Sequence, residues 1–556
     1  MRVAPKPASR FSRALCEYLP VSTAAADHKL TEPLEPLEPP DDSRADLWDL
    51  FDTAIVVAAF IATFVVHPIH DALTQPYWLD EAWVAVLTRV PWSHVTGMSS
   101  STPVGFLALL KLVPGSGEQR GRLLVLAFSA GTVVLAYAFA RGLRWPSKPR
   151  ARFAGAVAAL VAMLAPLSLL RNDLKQYTCD AFCALLILVV AARVERDPDR
   201  TAVWWLGIVA VVVLPFSSTS AFVAMPVFAG LLGSALLARA RRRVVEVVVT
   251  AAATGLVIAG YFGAVIVANT NDKLRAYWNS FYLYGSLGDS LSQAWRRLSH
   301  LRLWLGMPAW IFVVFVVIGI VALVRLGAPS IAIALPLLWI ELGTAAHLRR
   351  YPFLDLRTSH FLLMSSFVVG AVGAAWAVQL VYRWNRVLAV AATVLLAWLF
   401  SIGFRPWVDT LNIFYENARA QAAYVANHRM PNDVILVNSG GAFGFSYYWP
   451  HGSITTELDD STGQGFRAEV KGLRAQWMIG RTDAEVLSAL RDALRTWHAA
   501  GPGARLFIVR SHVLAKEALA WKRAFAALDV HPRVVHLRVE PLLVLGPASP
   551  AGTAGH

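Results

Sequence analysis

The sequence predicts an α-helical polytopic membrane protein with about eleven transmembrane helices and a C-terminal α/β domain. The 556 residues are 56% hydrophobic and only 16% charged, whereas roughly a quarter of the residues in a soluble domain are charged. The apolar residues are concentrated in blocks of near-spanning length. After residue 404 these blocks give way to short strand patterns that alternate with amphipathic helix patterns.

Residues 1–50 form a predicted N-terminal tail. They contain TEPLEPLEPPDDS, which is rich in proline and acidic residues and is typical of a disordered segment. They have no early apolar core of the kind that a signal peptide requires. We therefore expect a disordered cytoplasmic tail.

The predicted membrane domain covers residues 51–404. Most of its apolar segments approach the roughly 20 residues that a helix needs to cross a bilayer. A shorter apolar stretch at 103–113 predicts an interfacial or re-entrant helix. The predicted spans are 51–68, 123–140, 153–170, 177–192, 202–216, 221–237, 244–268, 309–324, 331–346, 361–381 and 387–404.

Basic clusters between the spans predict the orientation of the chain in the membrane. The connections after the second, fourth, sixth and tenth spans read RGLRWPSKPRAR, RVERDPDR, RARRR and RWNR. They fall on one side if the chain alternates, and the positive-inside rule makes that side cytoplasmic. Much of the net charge of +14 lies in such clusters. The charge therefore indicates topology and anionic lipid headgroups rather than a nucleic-acid partner.

Residues 405–556 predict an extracytoplasmic α/β domain with a flexible C-terminal end. The stretches DVILVNS, ARLFIVRS and RVVHLRVEPLLVLGP have the apolar, β-branched character of short buried strands. The segments 413–428 and 486–497 have helical periodicity. Because this part follows the eleventh span, it should lie on the outer face of a plasma (cell) membrane.

Two adjacent carboxylates, Asp80 and Glu81, stand in the first predicted outer loop, within PYWLDEAWVAVL. Adjacent helical residues point about 100° apart, so both rarely act on one atom. One could act as a general base while the other bonds the local scaffold. Carboxylates also favour the first turn of a helix, and the residues alone slightly favour this capping role.

Two further outer connections carry charged and aromatic residues. RNDLKQYTCDAF places acid, lysine and tyrosine at the start of a span, and HLRRYPFLDLRTSHF carries arginines on the outer side. These arginines run against the positive-inside trend, and a guanidinium suits forked contacts with phosphate. Snorkelling cations that contact lipid headgroups are the simpler alternative. A lipid phosphate that bears a sugar would need this mixture of cations, carboxylates and aromatic faces.

In combination, YWLDEAWV, SSTPVGFLALLKL, RNDLKQYTCDAF and YPFLDLRTSHFLL resemble the motifs of the GT-C superfamily of polytopic glycosyltransferases. The likeness is to protein mannosyltransferases and aminoarabinose transferases, in particular bacterial and actinobacterial members, and it covers residues 51–404. The chain departs from that pattern at 101–103, where Ser-Thr-Pro replaces a His-Pro-Pro type of segment. It also has Asp173 where Glu is frequent and Lys175 where Arg is frequent.

The resemblance implies an inverting transfer of a sugar from a polyprenyl-phosphate donor to an acceptor hydroxyl on a glycan, lipid or protein. Asp80 would be the base that deprotonates the acceptor hydroxyl, and Glu81 would orient Asp80 or the substrate. The resemblance is compatible with a divalent metal, because metal use varies among the similar enzymes, although no ligand spacing in the sequence requires one. The residues expected around the lipid phosphate and sugar are Asp173, Lys175, Tyr177, Arg350, Arg357 and His360.

Three other classes of protein are alternatives to a GT-C glycosyltransferase. A transporter or flippase would use intramembrane acids such as Asp180 and Glu341, but no clear internal repeat is present. A lipid-linked glycan polymerase or ligase would have its large outer loop late in the chain, whereas this acidic pair comes early. A non-catalytic scaffold on a degenerate GT-C fold would not need the intact pair.

Overall fold

The computed structural model describes residues 48–66, 73–95, 97–98, 102–114, 117–166, 173–196, 200–267, 272–410, 416–459, 465–478 and 480–547. Most of the predicted tail at 1–50 lies outside these residues. So does Ser101 of the Ser-Thr-Pro segment.

The described residues up to position 410 are mostly helical. Each of the eleven predicted spans contains one, and the stretch at 103–113 forms a short helix of its own. The helices are α1 Leu50–Val66, α2 Leu79–Leu87, α3 Val104–Leu112, α4 Gly117–Arg141, α5 Lys148–Leu164, α6 Tyr177–Arg196, α7 Arg200–Val213, α8 Ser220–Leu237, α9 Arg241–Tyr261, α10 Asp272–Tyr277, α11 Leu287–His300, α12 Arg302–Leu305, α13 Ala309–Arg325, α14 Pro329–His347, α15 His360–Trp384 and α16 Arg386–Thr410.

Within the described part of the chain, six helices are long and apolar enough to cross a membrane. They are α4, α6, α8, α9, α14 and α15. The π-helical turn Phe262–Val267 extends α9 and belongs to its apolar span. Shorter apolar helices lie in α1, α7, α13 and α16. The total of eleven crossings therefore stays a prediction.

The membrane helices pack closely at small residues. A Cβ atom at Gly319 of α13 would lie 2.1 Å from the carbonyl oxygen of Val369 in α15, and one at Gly230 of α8 would lie equally close to the carbonyl of Ser330 in α14. Small residues allow such approach where no hydrophobic force drives helices together in lipid. Helix α15 is the most enclosed candidate span, because 89% of its apolar window is buried.

The C-terminal domain is a mixed sheet between helices, together with a separate hairpin. The sheet has the order β4-β1-β5-β7-β6, in which β1 is parallel to β4 and β5, and β7 is antiparallel to β5 and β6. The hairpin is formed by β2 and β3. The elements are α17 Ala418–His428, β1 Val434–Val437, α18 Ala442–Tyr448, β2 Ile454–Leu458, β3 Phe466–Val470, β4 Ala475–Trp477, α19 Asp483–Ala499, β5 Leu506–Val509, α20 Ala515–Ala527, β6 Arg533–Val535 and β7 Leu542–Leu545.

Both faces of this sheet are buried, as the continuous apolar strands require. Val434 and Leu436 of β1 face a core that includes Leu490 of α19 and Trp521 of α20. The alternate residues Ile435 and Val437 face a second core with residues of α17 and α18. The predicted α/β domain is therefore confirmed as a sheet with a helical layer on each face.

Candidate active site

The acidic pair begins helix α2, with Trp78 in the N-cap position. Asp80 and Glu81 lie in the first turn, where the helix dipole favours carboxylates. Glu81 Oε2 accepts the backbone N–H of Trp78 at 3.3 Å and so satisfies a backbone donor at the helix start. The capping role that the residues alone favoured thus belongs to Glu81.

Glu81 is buried, with 1% of its surface exposed. Its carboxylate accepts two bonds from the Arg122 guanidinium, at 3.0 Å from Nε and 2.6 Å from Nη2. It also accepts the backbone N–H of Leu174 at 2.7 Å. Glu81 therefore joins the start of α2 to helix α4 and to the loop that precedes α6.

Asp80 lines an open cavity, where it forms an ion pair with Arg357. Arg357 Nη1 donates to Asp80 Oδ2 at 2.8 Å. The same guanidinium lies 5.7 Å from the centroid of the Trp78 ring, and its Nη2 is 3.4 Å from the Tyr277 hydroxyl. The Asp355 carboxylate accepts the backbone N–H of Arg357 at 3.1 Å. This turn, in which a side chain bonds the backbone two residues on, presents Arg357 to the cavity.

Lys175 and Tyr177 line the same cavity, at the start of α6. Lys175 is 3% exposed, and its Nζ lies 4.1 Å from the centroid of the Trp83 ring. Across the described residues, no carboxylate forms an ion pair with Nζ. Burial lowers the pKa of Lys175 to about 8, although the charge of Asp80 opposes this effect. A buried ammonium without an ion-pair partner suits an anionic ligand.

Asp173 is half-buried in the loop before α6 and is not among the residues that line the cavity. Burial, reinforced by the charge of Glu81, raises the pKa of Asp173 to about 7, although Arg357 and Arg122 act in the other direction. Near neutral pH the carboxyl therefore changes between a neutral and a charged form. Its charge state alters the field at Lys175, because the two groups interact electrostatically.

The cavity has a volume of about 640 Å³, which is within the usual range for small-molecule sites. It lies between the membrane helices and the C-terminal domain. The membrane helices and their loops contribute Trp78, Leu79, Asp80, Trp83, Lys175, Tyr177, Leu274, Tyr277, Trp278 and Arg357. The C-terminal domain contributes a roof of Ser439, Ala442, Phe443, Phe466, Arg467, Ala468, Glu469, Trp477, Met478, Arg481, His512 and Leu514.

The sequence did not predict this roof. Phe443 of α18 and Phe466 of β3 belong to the same buried cluster as the membrane-helix core. The hydroxyl of Tyr448 accepts the backbone N–H of Tyr77 at 2.7 Å and donates to Glu118 at 2.8 Å. The aromatic run in NDVILVNSGGAFGFSYYW was the local signal, since the exposure of so many rings on a small domain would be unfavourable.

The structure does not bring Arg350 or His360 into this cavity. Arg350 lies in a separate hollow of about 390 Å³, beside Arg275 and Arg349. Arg349, just after the end of α14, has a φ of 57°, in the left-handed region that favours glycine. His360 begins α15 and is 1% exposed. Of the arginines singled out in HLRRYPFLDLRTSHF, it is Arg357 that the intervening turns direct to Asp80.

Within the described ranges, no group of three or more His, Cys, Asp or Glu side chains could hold a metal ion. Two carboxylates line the cavity, Asp80 and Glu469, and both contact arginines. A divalent metal at Asp80 would have to share the carboxylate with Arg357. The metal dependence thus stays a prediction.

The cavity combines a carboxylate that can take a proton with two cations that can hold an anion. Lys175 and Arg357 suit a phosphate group, and the electrostatic stabilisation of a leaving phosphate lowers a transition-state barrier. The aromatic rings of Trp78, Trp83 and Trp477 offer apolar faces to a ring-shaped ligand. The arrangement suits the displacement of a phosphate by an alcohol.

The structure resembles solved structures of other proteins. The structure aligns with ArnT from Cupriavidus metallidurans bound to undecaprenyl phosphate, with a TM-score of 0.52 and 14% identity over 90% of this chain and 98% of that chain. The apo state of that ArnT gives a TM-score of 0.48 at 13% identity, over 90% and 98% of the two chains. An Archaeoglobus fulgidus oligosaccharyltransferase in complex with Zn and sulfate gives 0.49 at 11% identity, over 71% and 61%.

No protein-family model and no curated protein matches the chain. At 14% identity the alignment with ArnT establishes the fold. The protein has the GT-C fold, with apolar helices of membrane-spanning length and a C-terminal domain that contains a sheet. This fold class is the one that the sequence predicted.

Proposed function

We propose that the protein is a membrane glycosyltransferase that moves a sugar from a polyprenyl-phosphate donor to an acceptor hydroxyl. The observation that carries this proposal is the meeting of Asp80, Arg357 and Lys175 in one cavity at the membrane helices. One carboxylate and two cations are the charges that the transfer needs. The fold of ArnT, which has been solved with undecaprenyl phosphate bound, supports a lipid-linked donor.

In the proposed reaction Lys175 and Arg357 hold the phosphate of the donor. Asp80 accepts the proton of the acceptor hydroxyl, and the oxygen attacks the anomeric carbon from the side opposite the phosphate. The bond between that carbon and the phosphate oxygen breaks as the new glycosidic bond forms, so the configuration inverts. The polyprenyl phosphate leaves as an anion that the two cations stabilise.

We further propose that the protein works in the plasma (cell) membrane, with the N-terminus in the cytoplasm and the C-terminal domain outside. The basic connections after the second, fourth, sixth and tenth spans support this orientation. The site then opens on the outer side, where a polyprenyl-phosphate sugar would be used without a nucleotide.

The experiment that tests the function is sugar transfer by the purified full chain in proteoliposomes. A panel of synthetic polyprenyl-phosphate donors (mannose, arabinose, galactose) is offered with glycan, lipid and peptide acceptors. We expect one donor to be consumed and the product to have the anomeric configuration opposite to that of the donor. Retention of configuration, or donor-independent movement of lipid or ions across the bilayer, would contradict the proposal.

A further inference from the structure

His512 is held in the roof of the cavity by carboxylates on two sides. Its ring Nδ1 pairs with Oε1 of Glu416, and its backbone N–H donates to Oε1 of Glu540 at 3.0 Å. The residue has a φ of 52°, in the left-handed region that residues with a Cβ atom rarely adopt. Backbone strain of this kind persists where surrounding contacts fix it, often at functional sites.

The Nε2 edge of the His512 imidazole is available to a ligand in the cavity. With Nδ1 paired to Glu416, a neutral imidazole carries its proton on Nδ1 and a lone pair on Nε2. Across the residues that the structure describes, Nε2 has no hydrogen-bond partner. His512 lines the cavity, and its ring centroid is 6.3 Å from that of Trp78. In this neutral form, the dyad presents a hydrogen-bond acceptor to the space that Asp80 also lines.

Glu416 also connects His512 to the start of α2. Its second carboxylate oxygen accepts the backbone N–H of Leu79 at 2.8 Å. Leu79 directly precedes Asp80, so one carboxylate fixes both the roof imidazole and the backbone beside the proposed base. The relative placement of His512 and Asp80 is therefore built into the contact between the two domains.

The roof offers apolar faces and polar groups whose charges are already compensated. Trp477 and Phe443 expose aromatic surface to the cavity. Nη1 of Arg481 lies 3.5 Å from Oε2 of Glu517, and Nε of Arg467 lies 3.0 Å from Oδ2 of Asp459. Because the roof arginines are paired within the domain, the roof does not demand an anionic acceptor. Aromatic faces with a hydrogen-bond acceptor suit a neutral sugar ring.

We propose that the acceptor is a carbohydrate and that His512 binds it. One hydroxyl of the acceptor ring gives its proton to Asp80 during transfer, while another hydroxyl donates a hydrogen bond to Nε2 of His512. This inference rests on the proposed transferase function and specifies its acceptor class. It assigns the C-terminal domain a binding role, with Glu416 as the positioning residue that fixes the imidazole.

The test uses the full chain in proteoliposomes with the donor that the panel identifies. The acceptors are methyl α-D-mannopyranoside, methyl α-D-arabinofuranoside and a serine-containing peptide. His512→Phe keeps a ring and removes the nitrogens, His512→Gln keeps a hydrogen-bonding group, and His531→Phe at a side chain that is 86% exposed is the matched control. The affinity of each variant for undecaprenyl phosphate is measured in parallel.

We expect a methyl glycoside to be glycosylated. His512→Phe should raise its KM about tenfold or more, as loss of one hydrogen bond implies, while kcat and the affinity for undecaprenyl phosphate stay close to wild type. His512→Gln should restore part of the loss. Glu416→Gln, which leaves the imidazole in place, should give a smaller rise in KM, again with kcat close to wild type.

An unchanged acceptor KM in His512→Phe would show that His512 has only a structural role in the contact between the domains. A fall in affinity for undecaprenyl phosphate as large as the rise in acceptor KM would show the same. Transfer to the peptide alone, or binding of undecaprenyl phosphate without transfer to either glycoside, overturns the carbohydrate assignment and leaves the donor side intact. A wild type that neither binds undecaprenyl phosphate nor transfers sugar contradicts the proposed function itself.

Discussion

Asp80 and Arg357 are 277 residues apart in the chain, and a bond of 2.8 Å joins Oδ2 of the first to Nη1 of the second. In this structure, the negative charge of Asp80, the proposed base, and the positive charge of Arg357, which is proposed to bind the phosphate, therefore compensate each other. A phosphate that arrives at Arg357 would compete for its donors and release the Asp80 carboxylate toward the acceptor. In the proposed mechanism, donor binding and activation of the base are therefore linked through the Arg357 guanidinium.

Arg357→Lys should lower kcat/KM by about 10-fold to 100-fold. Lysine keeps the charge but cannot bond Asp80 and a phosphate through a planar fork, and a charge-assisted hydrogen bond contributes about 1.5–3 kcal/mol. The measurement is the initial rate of sugar transfer against donor concentration. Arg495→Lys, at a side chain that is 74% exposed on α19, is the control. Equal rates for Arg357→Lys and the control would contradict a role for Arg357 in binding the donor phosphate.

Glu81→Gln should destabilise the fold by about 3–5 kcal/mol, because it leaves the buried Arg122 guanidinium without its counter-charge. Both side chains of the pair are at most 3% exposed. The thermal midpoint in detergent should fall clearly. Glu457→Gln removes a pair whose acid is 74% exposed and should shift the midpoint little. If Glu81→Gln kept the wild-type midpoint but lost all transfer, Glu81 would be a reacting group and not a positioning residue.

The rate of transfer should fall as the pH rises through about 7 and then about 8. Asp173, with a pKa of about 7, gains a negative charge above that pH, and Lys175, with a pKa of about 8, loses its positive charge. Both changes weaken the binding of an anionic phosphate, so kcat/KM for the donor declines on the alkaline side. Asp173→Asn should remove the first step.

Lys175→Arg supplies the control for this pH dependence, since a guanidinium stays protonated throughout the range. In that variant the second step should vanish even if the absolute rate is lower. An alkaline limb that persists unchanged in Lys175→Arg would mean that another group titrates there.

Gly319→Ala should destabilise the membrane domain by about 1–3 kcal/mol, because the added methyl would lie 2.1 Å from the carbonyl oxygen of Val369. Gly255→Ala is the matched control in another apolar helix, where an added Cβ meets nothing within 4 Å. In that open position the exchange should be neutral or stabilising by about 0.5–1 kcal/mol. The two thermal midpoints should therefore move apart, and equal midpoints would contradict the packing of α13 on α15.

The membrane helices could be predicted because length and apolar character are local properties. The strands β1, β5 and β7 could be predicted for a similar reason, since each is a short continuous apolar run that is buried on both faces. The hairpin of β2 and β3 was missed because β2 is largely exposed and carries no such pattern. Helix α20 was also missed, since its apolar residues are mostly alanines.

The candidate site was predictable only in part. Asp80, Lys175, Tyr177 and Arg357 stood out because ionisable and aromatic groups at the ends of apolar spans are unusual. His512 has no such local signal, because its role depends on the docking of the C-terminal domain, and His512 lies 432 residues after Asp80 in the chain. Whether Arg350 shares the site with Arg357 depended on backbone turns that a pattern of residue types does not specify.

The most direct test of the central claim is single-turnover transfer by Asp80→Asn, with enzyme in excess of a polyprenyl-phosphate sugar. Asp529→Asn, at a side chain that is 96% exposed, is the matched control. We predict a fall in rate of about 10²–10⁴-fold, the usual contribution of a general base, with the affinity for undecaprenyl phosphate largely kept. Transfer by Asp80→Asn at the rate of Asp529→Asn would contradict the assignment of Asp80 as the base.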